Sequence, residues 1–353
     1  MRGLRKKLVA LAAVATMVMT SLVGCAGSVK DSDVVATVGD AEITVGVANF
    51  YIRYQQMMLE NYYSSMVSGG DVWEMGLLDE DSLKENYMES LQELYILKAH
   101  MDDYEVSLTE DEQAAIDEAA EAFVEANTDE AKEKISGNKE VVIEVLELMT
   151  ISEKMHEAII AKVDTEVSDD EAAQKAMQYV LFETSTTADD GTTTEMSEDE
   201  IAAQKAAAED FLEKAKANGS LETYATEAEL ESTKATFDAE STTPDADLVA
   251  AADALGEGEF TDVIETDAGY YVAQLTSLLD RDATDTEKEN IIGQREQEDY
   301  QAELDTWTEA AEIKVNDKVW DKISLNDSQV FTFAEEEVEE ETTEETATEE
   351  VAE

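Results

Sequence analysis

Apolar residues in this chain recur mostly at three- and four-residue steps, and only short stretches alternate or run continuously. "DVVATVGDAEIT" (33–44) carries Val34, Val35 and Val38 before a "GD" turn and Ile43 after it, which predicts a hairpin. Val47, Phe50, Tyr51, Tyr54, Met58 and Tyr62 then follow a helical period. "SGGD" (68–71) breaks it, and a second amphipathic helix is expected over 81–103, with Leu83, Tyr87, Leu91, Leu94 and Met101 on one face. Thr109 and Glu112 form a capping box for a third helix bearing Ile116 and Phe123. A fourth long helix is expected from about Lys139 to Ala161, with Val142, Val145, Leu148, Met149, Met155 and Ile159. Residues 34–163 therefore read as a helical domain led by a hairpin. Its Met and Tyr stripes suit helix packing first, and an adaptable apolar groove second.

A different rhythm follows. "SDDE" (168–171) has a capping-box pattern, and "MQYVLFE" (177–183) is short and apolar, as a buried strand is. A polar loop, "TSTTADDGTTTEM", precedes a helix capped by Ser197 and Glu200 and stopped by Gly219. "LETYATEA" suggests a short helix and "STKATFD" (232–238) a strand. Pro244, the chain's single proline, precedes the helix "DADLVAAADAL". "DALGEGEFTDVIETDAGYYVAQL" (253–275) then reads as a helix end, a turn and two strands. The order β-α-α-β-α-β-β predicts a four-stranded α+β domain over 166–281. Thr284 and Glu287 start a last long helix, and "AEIKVND" gives a short strand.

Charge changes the picture at both ends. There are 86 acidic and 24 basic residues, a formal net charge of −62. Such a surface repels nucleic acid, so no nucleic-acid partner is expected. Residues 334–353 hold 11 glutamates in 20 positions, a composition of disordered, solvating tails. At the other end, "MRGLRKK" precedes a largely apolar run of 16 residues (8–23), whose last two open "LVGC" (22–25). That is a secretory signal over 1–24, too short for a comfortable membrane span. Small residues before Cys25 give a lipobox, with residues 25–33 as a lipidated tether. Cys25 is the single cysteine, so a disulfide within the chain is impossible. The carboxylates are spread without calcium-loop spacing, and neither a metal nor any other cofactor is expected.

The 253–275 stretch resembles the end of a parvulin-type peptidyl-prolyl isomerase domain, with "AL", a "GE" turn and "GYY" where the family has "GYH". "MQYVLFE" resembles the family's first strand. "VVATVGDAEITVGVANFYIRYQQ" resembles the N-terminal region of extracytoplasmic foldases of the PrsA and SurA kind. The resemblance spans roughly 33–325. It implies that the 166–281 domain is inserted into the helical one, that 284–325 pack back on the N-terminal domain, and that the whole is a lipid-anchored chaperone on the outer face of the cell membrane, with unfolded or nascent secreted proteins as partners.

The chain departs from that family at its centre. Its two histidine positions fall on Tyr179 and Tyr271, and the glycine-rich turn is replaced by "ELESTKATFDAE". The family's acidic or thiol group falls on Glu227 or Glu229, and its pocket aromatic on Leu248. Phe182, Phe237, Leu248 and Phe260 are the candidates for lining a peptide groove. His100 and His156 lie in the helical region. A phenol donates a hydrogen bond but, with a reference pKa of about 10, moves no proton near neutrality. The readings are thus a foldase whose isomerase domain is weak or degenerate, a competent isomerase, or a non-enzymatic surface binding lipoprotein.

Overall fold

The computed structural model describes residues 29–66, 73, 75–76, 78–188 and 191–325. The expected signal segment, Cys25, the "SGGD" break and the acidic tail lie outside them. The chain is α+β and divides into two compact units. One holds the described residues up to His100, Ser107–Ser152 and those from Ala310 on; the other holds Met101–Val106 and Glu153–Glu309.

In the first unit, β1 (Val34–Val38) and β2 (Ala41–Thr44) form the hairpin, turning at Gly39 with φ +57°. The helices are α1 (Val45–Met66), α2 (Glu80–Ala99), α3 (Glu110–Ala126), α4 (Asp129–Ile135) and α5 (Lys139–Ile160), whose last residues belong to the second unit. The core joins Val35, Ile43, Phe50, Leu91, Phe123 and Leu148, and the Phe50 and Phe123 rings meet edge-on at 5.3 Å. α2 stops at Ala99, short of the expected 103. Asp102 and Asp103 would face the negative end of the helix dipole, and Met101–Tyr104 tighten into a 3₁₀ turn instead. α4 goes beyond the expectation; Thr128 caps it by accepting from the Ala131 amide at 3.2 Å.

The second unit centres on a sheet of β3 (Lys175–Glu183), β6 (Thr233–Phe237), β7 (Ile264–Thr266) and β8 (Gly269–Ser277). The strand order is β6-β3-β8-β7 and every pairing is antiparallel. The loop expected after β3 instead forms a small ladder, β4 (Ser185–Thr187) on β5 (Thr193–Glu195), as its β-branched threonines favour. α6 (Glu198–Asn218) and α7 (Leu221–Glu227) cover one sheet face, and α8 (Ala246–Asp253) covers the other. α9 (Arg281–Ala310) follows and, up to Glu309, clusters with this unit.

"SDDE" caps no helix; Ser168 closes a turn by accepting the Glu171 amide at 3.2 Å. Its carboxylates go to α9. Asp169 meets Arg281 and Lys288, and Glu171 meets Arg295 at 2.5 Å. β9 (Ile313–Val315) and α10 (Asp317–Trp320) return to the first unit. β9 pairs antiparallel with β1, so the sheet order is β2-β1-β9. Buried Gln56 donates to the Leu325 carbonyl at 2.9 Å, fixing the segment after α10.

Candidate functional site

Side chains on β3 and β8 alternate between two cores. Val180, Phe182, Tyr270 and Val272 pack under α6 and α7 with Phe211 and Leu221. Met177, Tyr179, Leu181, Tyr271 and Leu275 pack on the other face with Phe237 and with Leu248 and Val249 of α8. Tyr179 stands opposite Ala273 and Tyr271 opposite Leu181, so the two tyrosines are diagonal neighbours. Their rings meet edge-to-face, centroids 5.5 Å apart at 63°.

The sequence-derived groove candidates therefore divide. Phe237 and Leu248 share the tyrosine face and are fully buried. Phe182 and Phe260 pack on the α6 face instead. Glu227 ends α7, the helix of that same face, and Glu229, with φ +56°, lies just beyond it. His100 caps α2 in the first unit, and in the second the His156 and Tyr300 rings meet edge-on, centroids 4.7 Å apart. Among the described residues no group of three or more His, Cys, Asp or Glu could hold a metal ion.

A surface groove of about 390 Å³ opens beside Tyr179. Lys234, Ala235 and Thr236 of β6 line it, with Ser241, Thr242, Thr243 and Pro244 of the following loop. Sequence reading missed these polar residues, although the proline after three hydroxyl residues was a visible signal. Ser241 donates to Asp238 Oδ1 at 2.8 Å, and Asp238 also accepts from the Glu240 amide and Gln174. Burial would raise the Asp238 pKa, but these hydrogen bonds outweigh it and hold it low. Lys234 is paired with Asp280 at 2.6 Å, a bond that lowers the Asp280 pKa. Asp245 caps α8 by accepting the Asp247 and Leu248 amides.

Tyr271 is 5% exposed. Burial raises its pKa, and Tyr179, Asp245 and Glu183 raise it further. It stays a neutral phenol across the physiological range. The face thus offers an aromatic pair, hydroxyls and a compensated cation.

These elements make the second unit a small antiparallel sheet with a surface groove along β6 beside Tyr179. Residues 189–289 match the family model of the PPIC-type PPIASE domain, so the chain carries a domain of parvulin type. No curated protein matches the sequence. Among solved structures, the chain is similar to the foldase protein PrsA of Lactococcus lactis, at 14% identity over 83% of this chain and 98% of that one, with a TM-score of 0.36. It is similar to the peptidylprolyl isomerase PrsA of Bacillus cereus at 17% identity over 82% and 96%, with a TM-score of 0.29. A SurA-like chaperone of Campylobacter jejuni gives 13% over 80% and 99%, with a TM-score of 0.29.

Proposed function

We propose that the chain is an extracytoplasmic chaperone of the foldase type, lipid-anchored through Cys25, whose parvulin-type domain holds prolyl segments of unfolded clients rather than isomerising them. The observation that carries this reading is the Tyr179–Tyr271 pair, set beside the groove on the face where the resemblance places two histidines. Isomerisation must favour a twisted amide against a barrier of about 18–20 kcal/mol. Catalysis needs donors that bind the twisted form better than the planar one. Of the pair, Tyr179 lines the groove, and a phenol that meets both forms alike gives affinity without rate. The first unit, with β9 added to the opening hairpin, is the second client-holding surface.

The test is prolyl-peptide isomerisation by the full chain, read beside suppression of aggregation of an unfolded secreted protein. The expected result is the uncatalysed rate together with suppressed aggregation. Rapid isomerisation that Tyr179→Phe abolishes would establish the competent enzyme instead. No effect on aggregation would remove the chaperone. For the anchor, labelling with a radioactive fatty acid in cells should be lost in Cys25→Ser, and retained label would refute it.

A further inference from the structure

We propose that the first unit binds an extended, basic segment of an unfolded client as an added strand on β9, in a groove between α2 and the β9–α10 corner. This rests on the chaperone reading and gives it a site. The groove is about 430 Å³, with Met88 and Trp320 as its floor and Val315 as one wall.

The edge of the sheet lies here. The strand order β2-β1-β9 puts β9 outermost. The Gly39 amide donates to the Glu312 carbonyl at 3.0 Å, and the Asn316 amide donates to the Val35 carbonyl at 2.8 Å. Backbone groups alternate in direction along an antiparallel strand. Those of Glu312, Lys314 and Asn316 therefore face β1, and those of Ile313 and Val315 point outward. An outward row of amides and carbonyls is a template for an incoming strand. Val315, 36% exposed, stands at that edge.

Charge selects the occupant. Asp81, Glu85 and Glu89 of α2 line the groove with Asp317 and Asp321. None of these five is in an ion pair among the described residues. The single cation of the groove, Lys84, is engaged with Trp320: it lies 5.1 Å from the ring centroid and donates to the Trp320 carbonyl at 3.1 Å. A second copy of the chain, or its own glutamate-rich tail, would bring more negative charge to this rim. A client segment alternating Lys or Arg with apolar residues meets every feature. Its backbone pairs with Ile313 and Val315, its apolar side chains reach Met88, Val315 and Trp320, and its cations reach the carboxylates.

The probe is a fluorescent, proline-free peptide of alternating lysine and valine, titrated with the full chain and followed by anisotropy. Binding should weaken steeply with salt, as the screening length falls from about 10 Å at 0.1 M to about 3 Å at 1 M. Val315→Pro removes one outward amide, a change edge strands tolerate, and should weaken binding about fivefold. Glu85→Gln with Glu89→Gln, at exposed positions without ion pairs, should weaken it at low salt and flatten the salt dependence. Tyr179→Phe should leave this peptide unaffected. Unchanged binding in the double glutamine variant, or a glutamate–valine peptide binding equally well, overturns the site; the glutamine variant keeps the test decisive should Val315→Pro misfold. An unfolded client held equally by all variants overturns the groove but not the chaperone reading, whereas failure to hold any client overturns both.

Discussion

Replacing Tyr179 by phenylalanine separates a binding phenol from a core ring. The substitution keeps the ring, and with it the edge-to-face contact to Tyr271 at 5.5 Å. It removes a hydroxyl that has no hydrogen-bond partner among the described residues and stands beside the groove of Thr236, Ser241 and Pro244. Stability should therefore move by less than about 0.5 kcal/mol. A neutral hydrogen bond from this hydroxyl to a peptide carbonyl is worth about 0.5–1.5 kcal/mol net, so affinity for a short prolyl peptide should drop about 2- to 12-fold. Tyr271→Leu acts differently. It loses the aromatic contact, about 0.5–1.5 kcal/mol beyond area, from a residue only 5% exposed, so it should lower stability and disturb binding through Tyr179. The assays are urea unfolding followed by circular dichroism and peptide titration by fluorescence. Binding should also be flat between about pH 5 and 8, where an imidazole would have changed charge. Peptide affinity in Tyr179→Phe equal to that of the unmodified chain would show that the ring is packing alone and sink the phenol's role.

Three further outcomes follow from local geometry. Gln274 accepts from the Leu221 amide at 2.9 Å and donates to the Gly219 and Gly258 carbonyls at 3.2 and 3.0 Å; Gln274→Glu sets a carboxylate against two carbonyls and should cost about 2–4 kcal/mol at pH 7, with partial recovery near pH 4 on protonation, read as urea midpoints. Gly269 has φ +141°, and an added Cβ would fall 2.2 Å from the Phe182 carbonyl oxygen, so Gly269→Ala should cost about 3 kcal/mol and expose the β3–β8 edge to hydrogen exchange. At the pH extremes, hydrogen bonds from Lys288 and Arg281 hold Asp169 down to about 2, so its contribution is complete above the unfolded value near 3.9 and fades as pH falls toward about 2. Burial raises Tyr87 to about 12, so the stability tied to its proton is complete below the unfolded value near 10 and is lost as pH rises from there toward about 12. Circular dichroism across both windows checks the two, and a flat signal from pH 2 to 12 would contradict them.

The helices were legible because their signals are local. The Thr109–Glu112 capping box and the Gly219 stop each fall within one turn of the residues they cap. Pairing was less legible, because β6 meets β3 and β9 meets β1 across long separations that no neighbouring residue announces. The two tyrosines were readable from the resemblance. Phe182, a groove candidate by sequence, lies three residues from Tyr179, and an odd offset on a strand places it on the other face. Phe237 stands opposite Lys175, which shares Tyr179's parity, and so reaches the tyrosine core. The hydroxyl-rich wall from Ser241 to Pro244 carried no hydrophobic pattern, and only the fold brings it to Tyr179.

The distribution of the few cations explains why an acidic surface here is more than solvation. Arg281, Lys288 and Arg295 recur every seven residues on α9, about two turns apart, so they share one helix face. Together they take Asp169 and Glu171, and Arg295 also donates to the Asp164 and Glu166 carbonyls. These bonds hold the connector into β3 against the helix that leaves the sheet. Cations spent there are withheld elsewhere. The groove of α2 and β9 keeps five carboxylates and one lysine already committed to Trp320. Like charges set side by side destabilise a folded chain unless something compensates them. A basic client segment, in the binding proposed above, would supply that compensation.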